Sequence, residues 1–220
     1  MGKKVNPIAL RLGGVRTWNA IWFAQKTFKA FLQEDVRMRV FLKKALKEAL
    51  VDHIDIERAR QNITVTIHTA KPGVVIGRAG AGIEDLTKKL KAEFFRGRRV
   101  NLSLNVKEVM HPSLSAQVIG QQIAADIEKR MPFRRVMKMS MERVMKSGAL
   151  GVKVTLSGRL NGAEIARTET LAIGKIPLHN LRADIDFAPV TAYTIYGTIG
   201  IKVWIYRGEV FEKKEEKAAS

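Results

Sequence analysis

Residues 64–86 read TVTIHTAKPGVVIGRAGAGIEDL, and three changes of pattern fall inside this one stretch. Val65 and Ile67 alternate with Thr64, Thr66 and His68, the period of a strand with one buried face. Pro72-Gly73 then opens a short apolar turn of helix at Val74, Val75 and Ile76. GRAG at 77–80 breaks that turn, and a second helix is predicted over 81–95. Its apolar face is Ile83, Leu86, Leu90 and Phe94.

The flanks complete the pattern. Upstream, residues 27–50 contain no Gly or Pro, and Phe28, Phe31, Leu32, Val36, Val40, Leu46, Ala49 and Leu50 fall roughly on one helical stripe. Two strand runs follow, HIDIERA (53–59) and ITVTIHT (63–69). Downstream of the basic turn GRR (97–99), Leu102, Leu104 and Val106 alternate through a third strand over 100–106. The predicted order is helix, strand, strand, helix, helix, strand.

A glycine loop between two helices, after two strands, is what a KH module uses to clamp about four nucleotides of single-stranded backbone. Without Cβ atoms the loop backbone approaches phosphates closely. The helix that follows points free N–H groups and a positive dipole end at the same anion. Gly77, Arg78, Ala79 and Gly80 are the expected loop, with Ile76 and Ile83 packed beneath it. GxxG also occurs at 148–151 and 197–200, but at a helix-to-strand junction and inside a strand run. Neither offers a helix N-terminus, so context selects the first.

Composition agrees with a polyanionic partner. The 220 residues carry 39 Lys and Arg against 21 Asp and Glu, a net charge of +18. The first fifty residues hold 11 basic and 3 acidic side chains and are the most electropositive part. There is no cysteine, which excludes disulfides, thiolate metal sites and cysteine nucleophiles. The start lacks a signal-peptide apolar core, and the weakly charged run from Phe187 to Tyr206 is rich in β-branched residues and broken by Pro189, Gly197 and Gly200. It reads as strands, so a cytoplasmic protein with no membrane association is expected.

The remaining chain suggests a second α+β domain. Pro112 marks a boundary, and helices are predicted over 113–129 and 133–147, separated by Pro132. Four strand runs follow: GVKVTLSG (151–158), AEIARTET (163–170), LRADIDFA (181–188) and TIGIKVWIY (198–206). Turns are placed at LNG (160–162) and GKIPLHN (174–180). The division is a basic arm over 1–26, an RNA-binding domain over 27–107, a second domain over 108–208 and a charged, disordered tail over 209–220. The arm carries Ile8, Leu10, Leu12, Val15, Trp18, Ile21, Trp22 and Phe23, enough apolar side chains to dock on something.

Long runs carry a resemblance. TVTIHTAKPGVVIGRAGAGIEDL with its helix-first order resembles the prokaryotic-type (type II) KH fold. MGKKVNPIALRLG (1–13), FRRVMK (133–138), SGRLNGAEIARTE (157–169), KIPLHNLRADIDF (175–187) and YGTIGIKVWIYRGE (196–209) resemble the bacterial small-subunit ribosomal protein three family. The resemblance implies a type II KH domain followed by a domain of two helices on a four-stranded sheet. It implies a place in the head of the small subunit, bound to ribosomal RNA at the messenger RNA entrance. The implied neighbours are head proteins ten and fourteen and entrance proteins four and five. It also points to Arg134, Arg135 and Lys138 as the residues facing incoming message, and their i,i+3 and i,i+4 spacing puts them in one helical patch. There are two departures from the family pattern: Met139 and Met141 follow the triad, and Ala79 stands where a second basic loop residue is common.

Other basic residues are expected on ribosomal RNA: Lys3, Lys4, Arg11, Arg16 and Arg182, with Trp22 offering a flat face. Arg159 and Arg167 join them, since only Glu164 and Glu169 stand close by in sequence. Asp184 and Asp186 share a strand face and are read as partners for arginines such as Arg182. His53, His68, His111 and His179 have no ligand spacing, and His68 is read as a solvent-facing strand residue. Met137, Met139, Met141 and Met145 are read as packing residues. No metal, cofactor or enzymatic role is expected. A free KH regulator would show repeated KH modules or an attached GTPase or cold-shock element, and none occurs. A nuclease would need a partnered lysine or a metal cluster, and neither stands out in the sequence.

Overall fold

A computed structural model describes residues 4–59 and 62–211. Lys3 and the tail from residue 212 onward lie outside the described residues. Two compact units emerge, one of Trp18–Gln122 and one combining the chain up to Thr17 with that from Ile123 onward. The arm expected over 1–26 is thereby divided, and the first unit continues past the expected break at 107.

In the first unit the elements run α2 (Phe28–Ala45), β2 (Val51–Ala59), β3 (Asn62–Thr69), α3 (Pro72–Ile76), α4 (Ala81–Phe94) and β4 (Asn101–Glu108), the order read from sequence. A two-residue strand β1 (Ala20–Ile21) joins the edge, giving the sheet order β1-β2-β3-β4. β2 and β3 are antiparallel, whereas β3 and β4 are parallel. Parallel neighbours need a long crossover, and α3 and α4 supply it. Met38 and Leu42 of α2, Ile54 and Ile56 of β2, Val65 and Ile67 of β3 and Leu90 of α4 form the core.

The predicted stripe of α2 is largely the wrong face. Phe28, Leu32, Val36 and Val40 are exposed, Val40 at 62%. The buried face is Asp35, Met38 and Leu42. Asp35 is fully buried, and three donors meet its carboxylate: Trp22 Nε1 at 2.8 Å, Arg58 Nε at 2.9 Å and Arg58 Nη2. Arg58 also bridges to Glu34 at 3.0 Å and stacks over Phe31. A buried pair of this kind costs about 3–5 kcal/mol to break from one side, because the remaining charge stays behind.

The second unit opens with α1 (Pro7–Leu10), capped by Asn6 Oδ1, which accepts the Ile8 N–H at 2.9 Å. α6 (Phe133–Lys146) follows α5 (Ala116–Glu128), the helix at which the two units divide. Phe133, Val136, Met137, Met141 and Val144 form the buried face of α6, while Met139 is exposed. It packs on β5 (Gly151–Gly158) of an antiparallel sheet ordered β6-β5-β8-β7. β6 spans Arg167–Gly174, β7 Ala183–Thr194 and β8 Gly197–Glu209. The AEIARTET run is a strand only from Arg167, since residues 163–166 belong to the turn that leaves β5. β7 continues well past residue 188, and it tolerates Pro189 because it is the edge strand.

Polar contacts join apolar ones in seating the first residues, where Pro7 is buried and Ile8, Leu12 and Val15 are half-buried. Leu10, Trp18, Ile21 and Phe23 are exposed, Phe23 at 85%. Arg11 is 2% exposed and donates to the carbonyls of Pro7 (2.9 Å), Leu178 (3.2 Å) and Asn180 (2.8 Å). Burial, then the charge of Arg16, lowers its pKa from the ordinary arginine value.

Candidate nucleic-acid interface

The glycine loop is an exposed bend between α3 and α4. Gly77 ends α3 at φ 70° with its N–H on Gly73 O at 3.0 Å, and Gly80 precedes α4 at φ 84°. Between them Ala79 adopts φ 49°, a left-handed conformation that costs a non-glycine residue about 1–2 kcal/mol. Arg78 and Ala79 are exposed, and no side chain caps the first turn of α4. The Ala81 N–H is given to Arg78 O, and the amides after it present the positive end of α4 to an anion on the loop side. Val75, not Ile76, is the buried residue under the loop, and Ile76 is exposed.

Gly82 matters as much as the two loop glycines, and the GxxG pattern does not contain it. A Cβ there would stand 2.6 Å from Val75 O and 3.0 Å from Ile76 O. It lets α4 start directly against the backbone of α3, which sets the bend. The sequence signal was the third glycine in GRAGAG (77–82). The other GxxG runs lie at the α6–β5 junction and within β8, as their context implied.

On α6, Arg134, Arg135 and Lys138 are all exposed. Arg134 is engaged: its Nε and Nη2 meet the Glu169 carboxylate at 3.3 and 3.2 Å. Arg167 Nε reaches Glu169 Oε1 at 3.3 Å, and both guanidinium groups lie 5.7 Å from the Phe133 ring centre. Two arginines assigned separately from sequence thus form one cationic cluster around one carboxylate. The hydrogen bond to Arg134 comes first among the causes that lower the Glu169 pKa, and the same bond raises that of Arg134. Arg135 and Lys138 make no ion pair among the described residues.

Several residues expected on RNA make contacts within the fold. Arg16 binds Asp184 at 3.1 Å and Asp186 at 3.0 Å; burial alone would lower its pKa, but the two carboxylates raise it. Arg207 is the second cation of this pair of acids, at 3.1 Å from Asp186, in place of the Arg182 expected there. Arg11 is buried, and Trp22 gives its N–H to Asp35 and its ring to Phe28 and Phe31. Arg159 donates to Ala163 O at 2.9 Å and Tyr196 O at 3.3 Å, bracing the turn at Asn161. Lys4 and Arg182 are exposed. A pocket of about 390 Å³ beside Arg159, lined by Met131, Phe133, Tyr193 and Tyr196, had no signal in the sequence.

The histidines also differ from expectation. His53 and His68 stack with ring centres 4.0 Å apart, and His68 is only 20% exposed. Burial, then the charge of His53, holds His68 below the usual histidine range, although Asp55 opposes the shift.

Comparison with known proteins agrees with this architecture. A KH domain model matches residues 37–114, and a model described as ribosomal protein S3, C-terminal domain, matches residues 123–205. A protein named small ribosomal subunit protein uS3 from Levilactobacillus brevis is 48% identical over 98% of this chain and 97% of its own length. Proteins of the same name from Lactiplantibacillus plantarum and Oenococcus oeni are 47% and 49% identical over all of this chain, covering 100% and 85% of their own lengths. With a KH fold in one unit, the S3 C-terminal fold in the other and this identity along its length, the chain belongs to the uS3 family of small ribosomal subunit proteins.

Proposed function

We propose that the chain is a structural constituent of the small ribosomal subunit in the cytoplasm, holding ribosomal RNA in the head and contacting messenger RNA where it enters. Its role is to position RNA, not to catalyse. The observation that carries this reading is the cationic face of α6, where Arg135 and Lys138 are exposed, without an ion pair among the described residues, beside the Arg134–Glu169–Arg167 cluster. Phosphate contacts of this kind fix the course of a strand without reading its bases. A strand gripped by its phosphates on entry is biased toward its unpaired form, as with any ligand that binds one state only.

The glycine loop contributes a second backbone contact, through Gly77, Arg78, Ala79, Gly80 and the uncapped start of α4. Lys3, Lys4, Arg167 and Arg182 add charge toward ribosomal RNA. Proteins ten and fourteen in the head and four and five at the entrance are the proposed neighbours. No helix among the described residues is long and apolar enough to cross a membrane.

Gradient sedimentation of a tagged copy from growing cells tests the assignment. The expected result is co-migration with small subunits and whole ribosomes, lost when the subunits are dissociated into free protein. A protein found mainly in low-molecular-weight fractions would overturn it.

A further inference from the structure

Strands β2 and β3 carry a polar cluster that RNA positioning does not use. Asp55 stands opposite Thr66 in their ladder, so His53 and His68, two residues away on either strand, project from the same face as Asp55. A bulge between Val51 and Ile54 re-aims this end of β2. Asp55 Oδ2 lies 3.6 Å from His53 Nε2 and 3.2 Å from His68 Nε2. One ligand atom from each of the three residues lies within 4.8 Å of the other two.

We propose that His53, Asp55 and His68 bind a divalent first-row transition metal ion of the zinc class, with solvent completing the coordination. Two imidazole nitrogens and one carboxylate oxygen suit such an ion, whereas calcium and magnesium favour oxygen alone. With metal–ligand bonds of about 2.0–2.1 Å, neighbouring ligands of a tetrahedral ion stand about 3.3–3.5 Å apart. Both Asp55 contacts are close to that spacing, while the stacked imidazoles must splay on binding so that their in-plane lone pairs converge on the ion.

A second shell is already in place. Asp52 Oδ2 lies 2.8 Å from His53 Nδ1, and an Nδ1–H donated there leaves Nε2 its lone pair. Asp52 in turn accepts a hydrogen bond from Ser115 Oγ, which fixes the carboxylate. Lys107 sits beside His68 in the β3–β4 register and opposes a cation, but the carboxylates of Asp52 and Asp55 outweigh its single charge. The His53 side chain is 40% exposed, which gives an ion a path and an open position for water.

Isothermal titration of the untagged, RNA-free full chain with Zn²⁺ tests the proposal, with Co²⁺ absorption as a report of coordination geometry. Saturable binding of one ion is expected, with a Kd of about 10 μM or below. His53→Gln and His68→Gln should each abolish it, and Asp52→Asn should weaken it by about 10–100-fold as a positioning change. His111→Gln and His179→Gln should leave it intact. Circular dichroism without metal separates lost ligands from lost fold, and the exposed His53 provides a variant that leaves the core untouched. Absence of saturable binding by the unaltered chain overturns the site, as does unchanged binding by His53→Gln and His68→Gln.

Discussion

Arg134 and Glu169 are joined by two hydrogen bonds, from Nε and Nη2 of the guanidinium on α6 to the two carboxylate oxygens on β6. Arg134 is exposed and Glu169 half-buried, so the pair holds Arg134 in one place without withdrawing it from solvent. Because the Glu169 pKa is lowered in the folded protein, its contribution is present above the ordinary glutamate pKa and is lost as the pH falls through the lowered folded value. A double-mutant cycle of Arg134→Ala and Glu169→Gln, read by thermal melts, should give one small coupling from about pH 8 down to about pH 5, vanishing only in stronger acid. A coupling that fades between pH 7 and 6 would contradict this account.

Neutralising Arg134, Arg135 and Lys138 to alanine should separate message handling from assembly. Subunit yield is expected to stay near normal, while translation slows on messages with a stable downstream hairpin. In single-stranded RNA binding by the isolated chain, the slope of log K against log salt should become shallower by about 2, at roughly 0.7 per lost phosphate contact. Accumulation of unassembled subunits, or equal slowing of structured and unstructured messages, would assign the patch to assembly.

Replacing Arg78 and Ala79 with Asp places like charge against phosphate in the glycine loop. Oligonucleotide affinity should fall while circular dichroism stays unchanged, because Asp accepts the left-handed backbone at position 79 better than Ala does. Equal affinity of the double variant and the unaltered chain would remove the loop from the RNA contact.

Two glycines near that loop should differ in what an added methyl costs. At Gly82 the methyl meets two backbone carbonyls that cannot move independently, and Gly82→Ala should destabilise the KH unit by about 1–3 kcal/mol. At Gly80 nothing lies within 4 Å, so Gly80→Ala carries only the strain of its left-handed backbone, about 1 kcal/mol. Denaturant midpoints of the two variants give the comparison, and an equal or reversed order would show that the helices separate easily.

The order of elements was legible wherever one period held over several residues, as in the alternation of Val65 and Ile67 or the helical face of Leu86 and Leu90. It misled on α2, because a buried charge is invisible to an apolar count. Asp35 takes a core position that Trp22 and Arg58 make tolerable, and the true face is displaced from Val36 and Val40 to Met38 and Leu42. The cationic site was legible as residue types, since Arg134, Arg135 and Lys138 are neighbours on one helical turn. What each cation is paired with was not legible. Arg167 meets Arg134 where α6 packs against β6, with Glu169 between them, and Arg16 finds its acids 168 and 170 residues away, a distance no local pattern records. The His53–His68 stack was hidden for the same reason: the ladder, not the spacing, brings the rings together.

The seat of Arg11 and Arg16 has a consequence for the order in which the molecule is made. The arm leaves the translating ribosome before its distant carbonyl and carboxylate partners, which lie between Pro177 and Asp186. At about 5–20 residues per second, the synthesis of those partners follows by roughly 10–30 s. Throughout that interval two arginines that end in a closed seat are uncovered on the nascent chain, so a segment made well before its partners is among the last to be locked.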